Sequence, residues 1–226
     1  MNTTTKNTTI LKAIILMKKI ILSLAVLATM SGAFVACDSK EASDSETTEE
    51  TASLSDGTMN VDLMASNVNW EGTVVGMFSH SGDVKLTNGS VTFTDGKITG
   101  GNFSVDLTTI NPTDKNYEPG RDTGTPAKLA EHLSSDEFFD VAQYPIATFK
   151  ITGSDGSTVM GNLTVRGKTN LEEVKNVVIS QASGLVTITG DLTFDRIKYD
   201  VSFKYRRQEM VLSNDVTIKV KLVASK

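Results

Sequence analysis

The chain has 226 residues, a formal net charge of −5 and a single cysteine. An acidic chain is a poor candidate for binding nucleic acid or an anionic membrane surface through its charge. With one cysteine there is no internal disulfide, so a folded domain must hold together by packing alone.

The N-terminal region has the features of a secretory signal. Basic Lys18 and Lys19 precede an apolar run over residues 20–30, and small residues follow it. The run is too short, and too near the N-terminus, for a membrane-spanning helix. We therefore predict a signal peptide over residues 1–36, with Met17 as the true start of translation.

The segment Phe34-Val35-Ala36-Cys37 is similar to a bacterial lipoprotein processing site, where the cysteine is acylated and becomes the first mature residue. We expect Cys37 to be a lipid anchor in the cell envelope, on the periplasmic side or at the outer membrane. The alternative is an ordinary signal peptide with an incidental cysteine. Cleavage before Cys37 would remove four lysines and no acid, taking the formal net charge from −5 to −9.

Residues 38–56 are acidic, rich in serine and threonine, and nearly free of apolar groups. Such a segment buries too little apolar surface to offset the entropy lost on ordering. We predict a flexible tether over residues 37–56. The remaining residues, 57–226, are enough for one domain with a sizeable core.

From Gly57 onward, apolar and polar residues alternate with the period of two that is typical of half-buried strands. The alternation is clearest over residues 91–107, where Asp95-Gly96 separates two alternating runs and predicts a hairpin. The pattern predicts an all-β sandwich or barrel. Further turns are predicted at Asn88-Gly89, Asp155-Gly156, Ser183-Gly184 and Ser213-Asn214.

Residues 126–133 interrupt the alternation. They begin with a proline and contain good helix formers, and Leu129 and Leu133 share one helical face. We predict one short helix that lies over an end or a wall of the barrel.

One parity of the predicted strands is apolar, and the opposite parity is mostly polar. A closed barrel of about eight strands either fills its interior with side chains or holds one small ligand. Parity does not separate these outcomes, although an apolar cavity would select an apolar ligand.

Enzyme activity is not expected. His132, Ser134, Ser135 and Asp136 are the residue types of a hydrolase triad, but they lie too close in sequence to impose triad geometry. No Gly-x-Ser-x-Gly motif occurs, and His80 and His132 lack metal-binding spacing. We expect no catalytic residue, no metal site and no cofactor.

Residues 132–149, HLSSDEFFDVAQYPIATF, closely resemble the signature of the YceI-like family of bacterial lipid-binding proteins. The resemblance covers about residues 58–224. It implies an antiparallel, lipocalin-like barrel whose hydrophobic tunnel holds a polyisoprenoid, a quinone, or a fatty acid or amide, with no catalytic chemistry established for the family. Further segments agree in order: Trp70-Glu71-Gly72, His80-Ser81-Gly82, GGNFSVDLTTI followed by Asp114, GNLTVRGKT and LTFDRIKYDV.

The apolar parity and the resemblance together predict which residues contact a ligand. Phe138 and Phe139 are expected at a helix-to-strand corner that closes one barrel end, with plain corner packing as the alternative for one of them. Trp70 could line the cavity or plug it, and His80 could be a satisfied core residue instead. The predicted ligand-binding residues are Trp70, Phe78, His80, Phe103, Val105, Leu107, Phe138, Phe139, Phe149, Ile151, Leu163 and Phe194.

Arg166 and Arg196 lie next to apolar strand positions. Each could pair with an acid or meet a ligand head group, and the acidic composition favours a neutral, quinone-like head group over a diphosphate. We expect a lipoprotein that carries or stores a long-chain lipid and contacts the membrane through acylated Cys37. The alternative is an envelope stress or maintenance module with a filled barrel that acts through protein contacts. The sequence does not decide whether the protein forms a homodimer.

Overall fold

The computed structural model describes residues 54–118, 120, 124–205 and 210–226. The predicted signal peptide, the Cys37 anchor and nearly all of the predicted tether lie outside these ranges. In the described part of the chain, the elements are β1 Gly57–Val61, β2 Asn67–Val74, β3 Phe78–Thr94, β4 Lys97–Pro112, α1 Pro126–Ser134, β5 Ile146–Asp155, β6 Thr158–Val165, β7 Lys168–Ala182, β8 Leu185–Asp195, a 3₁₀ helix Arg196–Tyr199, and β9 Leu212–Ser225.

The strands form one antiparallel sheet that closes on itself. Its order is β1-β3-β2-β9-β8-β7-β6-β5-β4, and pairing between β3 and β4 completes the barrel. β1 and β2 share one position, because each pairs with β3 on one side and β9 on the other. The barrel therefore has eight positions around its axis, which confirms the predicted lipocalin-like, antiparallel β-barrel.

Among the two-residue turns between the described strands, three have positive φ at both residues. Asp95-Gly96 and Ser183-Gly184 have positive φ at both residues, 50° and 71° in the first and 52° and 79° in the second. Two positive φ values suit the right-handed twist of a hairpin. Both turns were predicted. Arg166-Gly167 makes a third such turn, with φ of 48° and 69°, that the sequence pattern did not predict.

Two of the predicted turns are wrong. Asn88-Gly89 lies inside β3, next to an irregularity in its pairing with β4. Gly89 is there because β1 passes close by: a Cβ at Gly89 would lie 2.7 Å from the Cβ of Val61. Ser213-Asn214 lies inside β9. The Asp155-Gly156 turn is confirmed, since β5 ends at Asp155.

The predicted helix is confirmed and extends one residue further, to Ser134. The side chain of Thr125 accepts a hydrogen bond from the Lys128 N–H at 3.2 Å, which caps the N-terminus. Leu129 and Leu133 are buried and pack the helix against the barrel.

The barrel has two distinct ends. We call the end that carries α1, the 3₁₀ helix and the Arg166-Gly167 turn the helix end. We call the opposite end, which carries the β3–β4, β5–β6 and β7–β8 turns, the hairpin end. The pairing of Asn60 with Ser225 also lies toward the hairpin end.

Gly161 on β6 tests how tightly the wall of the barrel is packed. A Cβ at this position would lie 2.6 Å from Cε1 of Phe149 and 2.7 Å from the carbonyl oxygen of Lys150. We expect Gly161→Ala to lower the free energy of unfolding by about 1–3 kcal/mol, because overpacking forces the ring and the strand to shift. Urea denaturation measures the change.

The matched control is Gly153→Ala on β5. There the nearest atom to an added Cβ is Cε of Met160 at 3.8 Å, an ordinary contact. We expect the control to keep or slightly raise the stability of the protein. Equal unfolding free energies for the two variants would contradict the packing described here.

Candidate ligand-binding cavity

The barrel encloses a cavity of about 220 Å³. Its wall is apolar on almost every side because closure turns the apolar parity of the strands inward. An engineered apolar cavity of about 150 Å³ in another protein stays dry and binds a small hydrocarbon. This cavity therefore has room for an apolar ligand and little to offer water. The polar or charged residues of the described wall are Thr148, Thr189, Arg196 and Ser213, and Gly72 contributes no side chain.

Ten of the twelve predicted ligand-binding residues lie on the cavity wall. They come from β2, β4, β5, β6, β8 and the corner after α1, so the closed sheet brings distant segments to one space. That they contact a ligand remains a prediction. The ten are Trp70, Phe103, Val105, Leu107, Phe138, Phe139, Phe149, Ile151, Leu163 and Phe194.

Trp70 lines the cavity and is anchored at its polar edge. The indole N–H of Trp70 donates to the carbonyl oxygen of Asp83 at 3.2 Å. The ring packs over Gly82, where an added Cβ would lie 2.7 Å from Cζ2 of Trp70. The tryptophan is thus part of the wall, and the cavity continues past it.

Phe138 and Phe139 lie at the corner between α1 and β5, at the helix end. Their rings meet edge to face with centroids 5.0 Å apart, and both border the cavity. Phe138 also packs against the rings of His132 and Phe203. An irregular corner allows two neighbouring side chains to be buried, which a regular strand does not.

Arg166 holds this corner in place. Its Nη1 donates to the carbonyl oxygens of Phe138 at 2.9 Å and Asp200 at 2.7 Å, and its Nη2 donates to that of Asp136 at 2.9 Å. Arg166 is not on the cavity wall. It binds backbone carbonyls, so neither of the roles considered from the sequence, an acid partner or a head-group contact, describes it.

Phe78 and His80 lie outside the cavity wall, unlike the other predicted residues. His80 has the inward parity, but its ring is covered by the segment after β4. Its Nδ1 lies 3.1 Å from Oδ1 of Asp114, and its ring stacks on Tyr117 at 4.9 Å. Phe78 packs edge-on against the same ring at 5.1 Å. His80 is therefore a core residue whose ring nitrogen has a hydrogen-bond partner, which was the alternative to a ligand contact.

Asp114 is the centre of this second cluster. Its carboxylate accepts hydrogen bonds from the N–H groups of Ser81 at 3.0 Å and Asn116 at 2.8 Å, and from the hydroxyl of Tyr117 at 2.9 Å. Burial acts to raise the pKa of Asp114, but these hydrogen bonds and that with His80 outweigh burial and lower it. Burial and Asp114 raise the pKa of Tyr117.

Arg196 is the charged residue of the cavity wall, and the sequence singled it out without assigning its role. It opens the 3₁₀ helix at the helix end and is 2% exposed. Its Nε donates to the carbonyl oxygen of Ser213 at 2.9 Å, and its Nη1 donates to that of Val201 at 2.5 Å. The neighbouring Tyr199 donates its hydroxyl to buried Glu172 at 3.0 Å.

The described ranges contain no helix long and apolar enough to cross a membrane. Over the same residues, no group of three or more His, Cys, Asp or Glu side chains is arranged to hold a metal ion.

The model of the YceI-like domain family matches residues 59–224, which include every strand of the barrel in whole or in part. The chain belongs to the YceI-like family. Among curated proteins, none matches the chain.

Solved structures of other proteins are similar to this YceI-like domain. BcnA of Burkholderia cenocepacia is 22% identical with a TM-score of 0.57, and the match covers 73% of this chain and 99% of BcnA. A polyisoprenoid binding domain from Saccharophagus degradans, implicated in plant cell wall breakdown, is 14% identical with a TM-score of 0.49 over 74% of this chain and 97% of that one. The YceI protein of Campylobacter jejuni is 14% identical with a TM-score of 0.42 over 63% and 84%.

The lowered pKa of Asp114 makes stability depend on pH in a defined direction. A carboxyl group with a depressed folded-state pKa contributes stability above its unfolded pKa of about 3.9 and loses it as the pH falls through the folded value. We expect Asp114→Asn to lower the free energy of unfolding by about 2 kcal/mol at pH 7. The variant should also lose less further stability than the wild type between about pH 5 and pH 2.

Urea denaturation at a series of pH values measures both effects. Asp106→Asn serves as a control, because Asp106 also has a lowered pKa but lies at the surface, where Thr108 is its partner. If the stability of Asp114→Asn depends on pH in the same way as that of the wild type, the cluster does not stabilise the helix end.

Proposed function

We propose that this YceI-like domain binds one long-chain apolar ligand inside the barrel and acts as a carrier or reservoir for it. The ligand class is a polyisoprenoid, a quinone, or a fatty acid or amide. The observation that carries the proposal is the apolar cavity, which extends from Val91 and Ile98 toward the hairpin end to Leu133 and Phe138 at the helix end.

The shape of the cavity favours a slender tail. From Ile188 to Arg196 the wall follows β8 to the start of the 3₁₀ helix, a distance of eight residue steps or roughly 26 Å of chain. This is about 20 Å along the axis at a tilt near 40°. A volume of about 220 Å³ over that length leaves a narrow channel. Pockets for compact, drug-sized ligands start at about 300 Å³. An extended hydrocarbon chain suits this space better than a fused ring system.

Binding is driven by removing the tail from water. Each buried methylene contributes about 0.8 kcal/mol, so a dozen contribute roughly 10 kcal/mol before the cost of immobilising the ligand. The wall offers an apolar surface and few polar groups, so we propose binding and not catalysis.

The open interior also disfavours the filled-barrel alternative, which required side chains to meet at the axis.

The sequence supports a location for this function. We propose that acylated Cys37 anchors the protein in the cell envelope and that the acidic segment after it tethers the barrel. Purification from the source organism, followed by native mass spectrometry and lipid extraction, tests the ligand and the anchor together. We expect a co-purified long-chain lipid and a diacylated or triacylated N-terminal cysteine. A protein that is recovered empty and takes up no added lipid would contradict the binding proposal.

Gly72 offers a direct test, because it lines the cavity and a Cβ there would meet no atom within 4 Å. We expect Gly72→Phe to place its ring in the cavity and to weaken binding of a fluorescent long-chain fatty acid at least tenfold. The melting temperature should stay the same or rise, because the ring fills empty space.

The control is Glu71→Phe. Glu71 precedes Gly72 on β2, is exposed and belongs to the opposite face of the strand. It adds the same ring outside the barrel and should leave affinity unchanged. If Gly72→Phe folds and still binds the fatty acid as the wild type does, the ligand does not occupy the barrel interior.

A further inference from the structure

Within the described residues, the guanidinium of Arg196 makes fewer hydrogen bonds than it has donors. A guanidinium has five N–H donors, and the structure shows one bond each from Nε and Nη1. No acceptor among the described residues bonds to Nη2, and this nitrogen is not sealed inside the protein. Arg196 is one of the residues that border the cavity.

Within the described ranges, no carboxylate lies at salt-bridge distance from the guanidinium of Arg196. Burial lowers the pKa of Arg196, while the charge of neighbouring Asp195 raises it. The carboxylate of Asp195 is engaged elsewhere, because it accepts the N–H of Ile197 at 2.9 Å. A buried cation without a paired anion is costly, and an anion that enters the cavity would offset that cost.

We infer that Arg196 binds an anionic head group on the long-chain ligand, a carboxylate or a phosphate, through its free N–H donors. The ligand then lies with its head at the helix end and its tail toward the hairpin end. This inference rests on the proposed function and names the ligand class within it. It replaces the neutral, quinone-like head group that the acidic composition favoured, because the local charge at the wall is positive.

The comparison with Arg166 supports this assignment. Both arginines lie at the helix end, next to the ends of strands whose apolar side chains face the barrel interior. Arg166 is off the wall and donates three hydrogen bonds to backbone carbonyls, whereas Arg196 is on the wall and donates two. Arg166 therefore serves the fold and its remaining donors lie off the cavity wall, whereas Arg196 borders the cavity.

The test compares three ligands with the same tail: hexadecanoate, hexadecyl phosphate and hexadecanol. The full-length protein, stripped of lipid, is titrated and followed by the fluorescence of Trp70, the single tryptophan of the chain. A hydrogen bond to a charged group is worth about 1.5–3 kcal/mol, so the wild type should bind one or both anions roughly 10- to 100-fold more tightly than the alcohol.

Arg196→Met should remove this preference and change the affinity for hexadecanol by less than about threefold, because the tail contacts stay intact. Arg166→Met removes the same charge at the same barrel end and should keep the preference, even if the protein is less stable. Arg196→Lys keeps a charge with a shorter reach and should lower anion affinity about tenfold. If Arg196→Met does not fold, Arg196→Lys still tests the role of the guanidinium.

The orientation of the ligand is tested separately with brominated fatty acids. Trp70 is in register with Leu192 through Ile218, so along the strand direction it lies four residues, roughly 13 Å, further from the helix end than Arg196. Bromine near the middle of the chain should quench Trp70 more strongly than bromine next to the carboxylate.

Each outcome has one meaning. Equal affinity of the wild type for the acid, the phosphate and the alcohol overturns the role of Arg196 but leaves the proposed function standing. An equal loss of anion affinity in Arg166→Met and Arg196→Met also overturns it, since the effect would then be general. If none of the three ligands binds the wild type, the proposed function itself fails.

Discussion

The structure depends on the closure of one antiparallel sheet by the pairing of β3 with β4. Closure gives every strand a neighbour on both sides, so the backbone of the barrel is satisfied without an open edge. It also forces alternate side chains to face a common axis. The apolar wall of the cavity follows from these two facts together with the two-residue pattern of the sequence.

The helix end is held by polar groups as well as by the apolar packing of α1 and the corner after it. Arg166 fixes the corner through carbonyl oxygens on both sides of it, and Asp114 gathers His80, Tyr117 and the start of the loop after β4. Both groups lie off the cavity wall. Among the described residues of the cavity wall, Arg196 carries the charge, and this is the reason to assign it to the ligand.

The sequence predicted the barrel well because its rules are local. Alternation and turn residues act over a few positions, and they identified the strands, the Asp95-Gly96 turn and the helix. The prediction failed where distant segments decide the outcome. Asn88-Gly89 resembles a turn, but β1 packs against it and keeps it within a strand.

The site shows the same division. Parity identified the wall positions, yet it could not show that the segment after β4 returns to cover His80. Nor could it separate Arg166 from Arg196, because most of their partners, such as Phe138 and Ser213, are far away in sequence. Side-chain direction is encoded by two-residue spacing, whereas the volume left at the axis depends on how all the strands pack.

The pairing of Asn60 with Ser225 puts the first and last strands side by side, at the opposite end from Arg196. Neighbouring termini make a domain easy to graft into the loop of a host protein, because both junctions fall at one place. In such a fusion, the helix end would point away from the host. The barrel is thus suited to serve as a sensor module whose attachment does not obstruct the end where we place the head group.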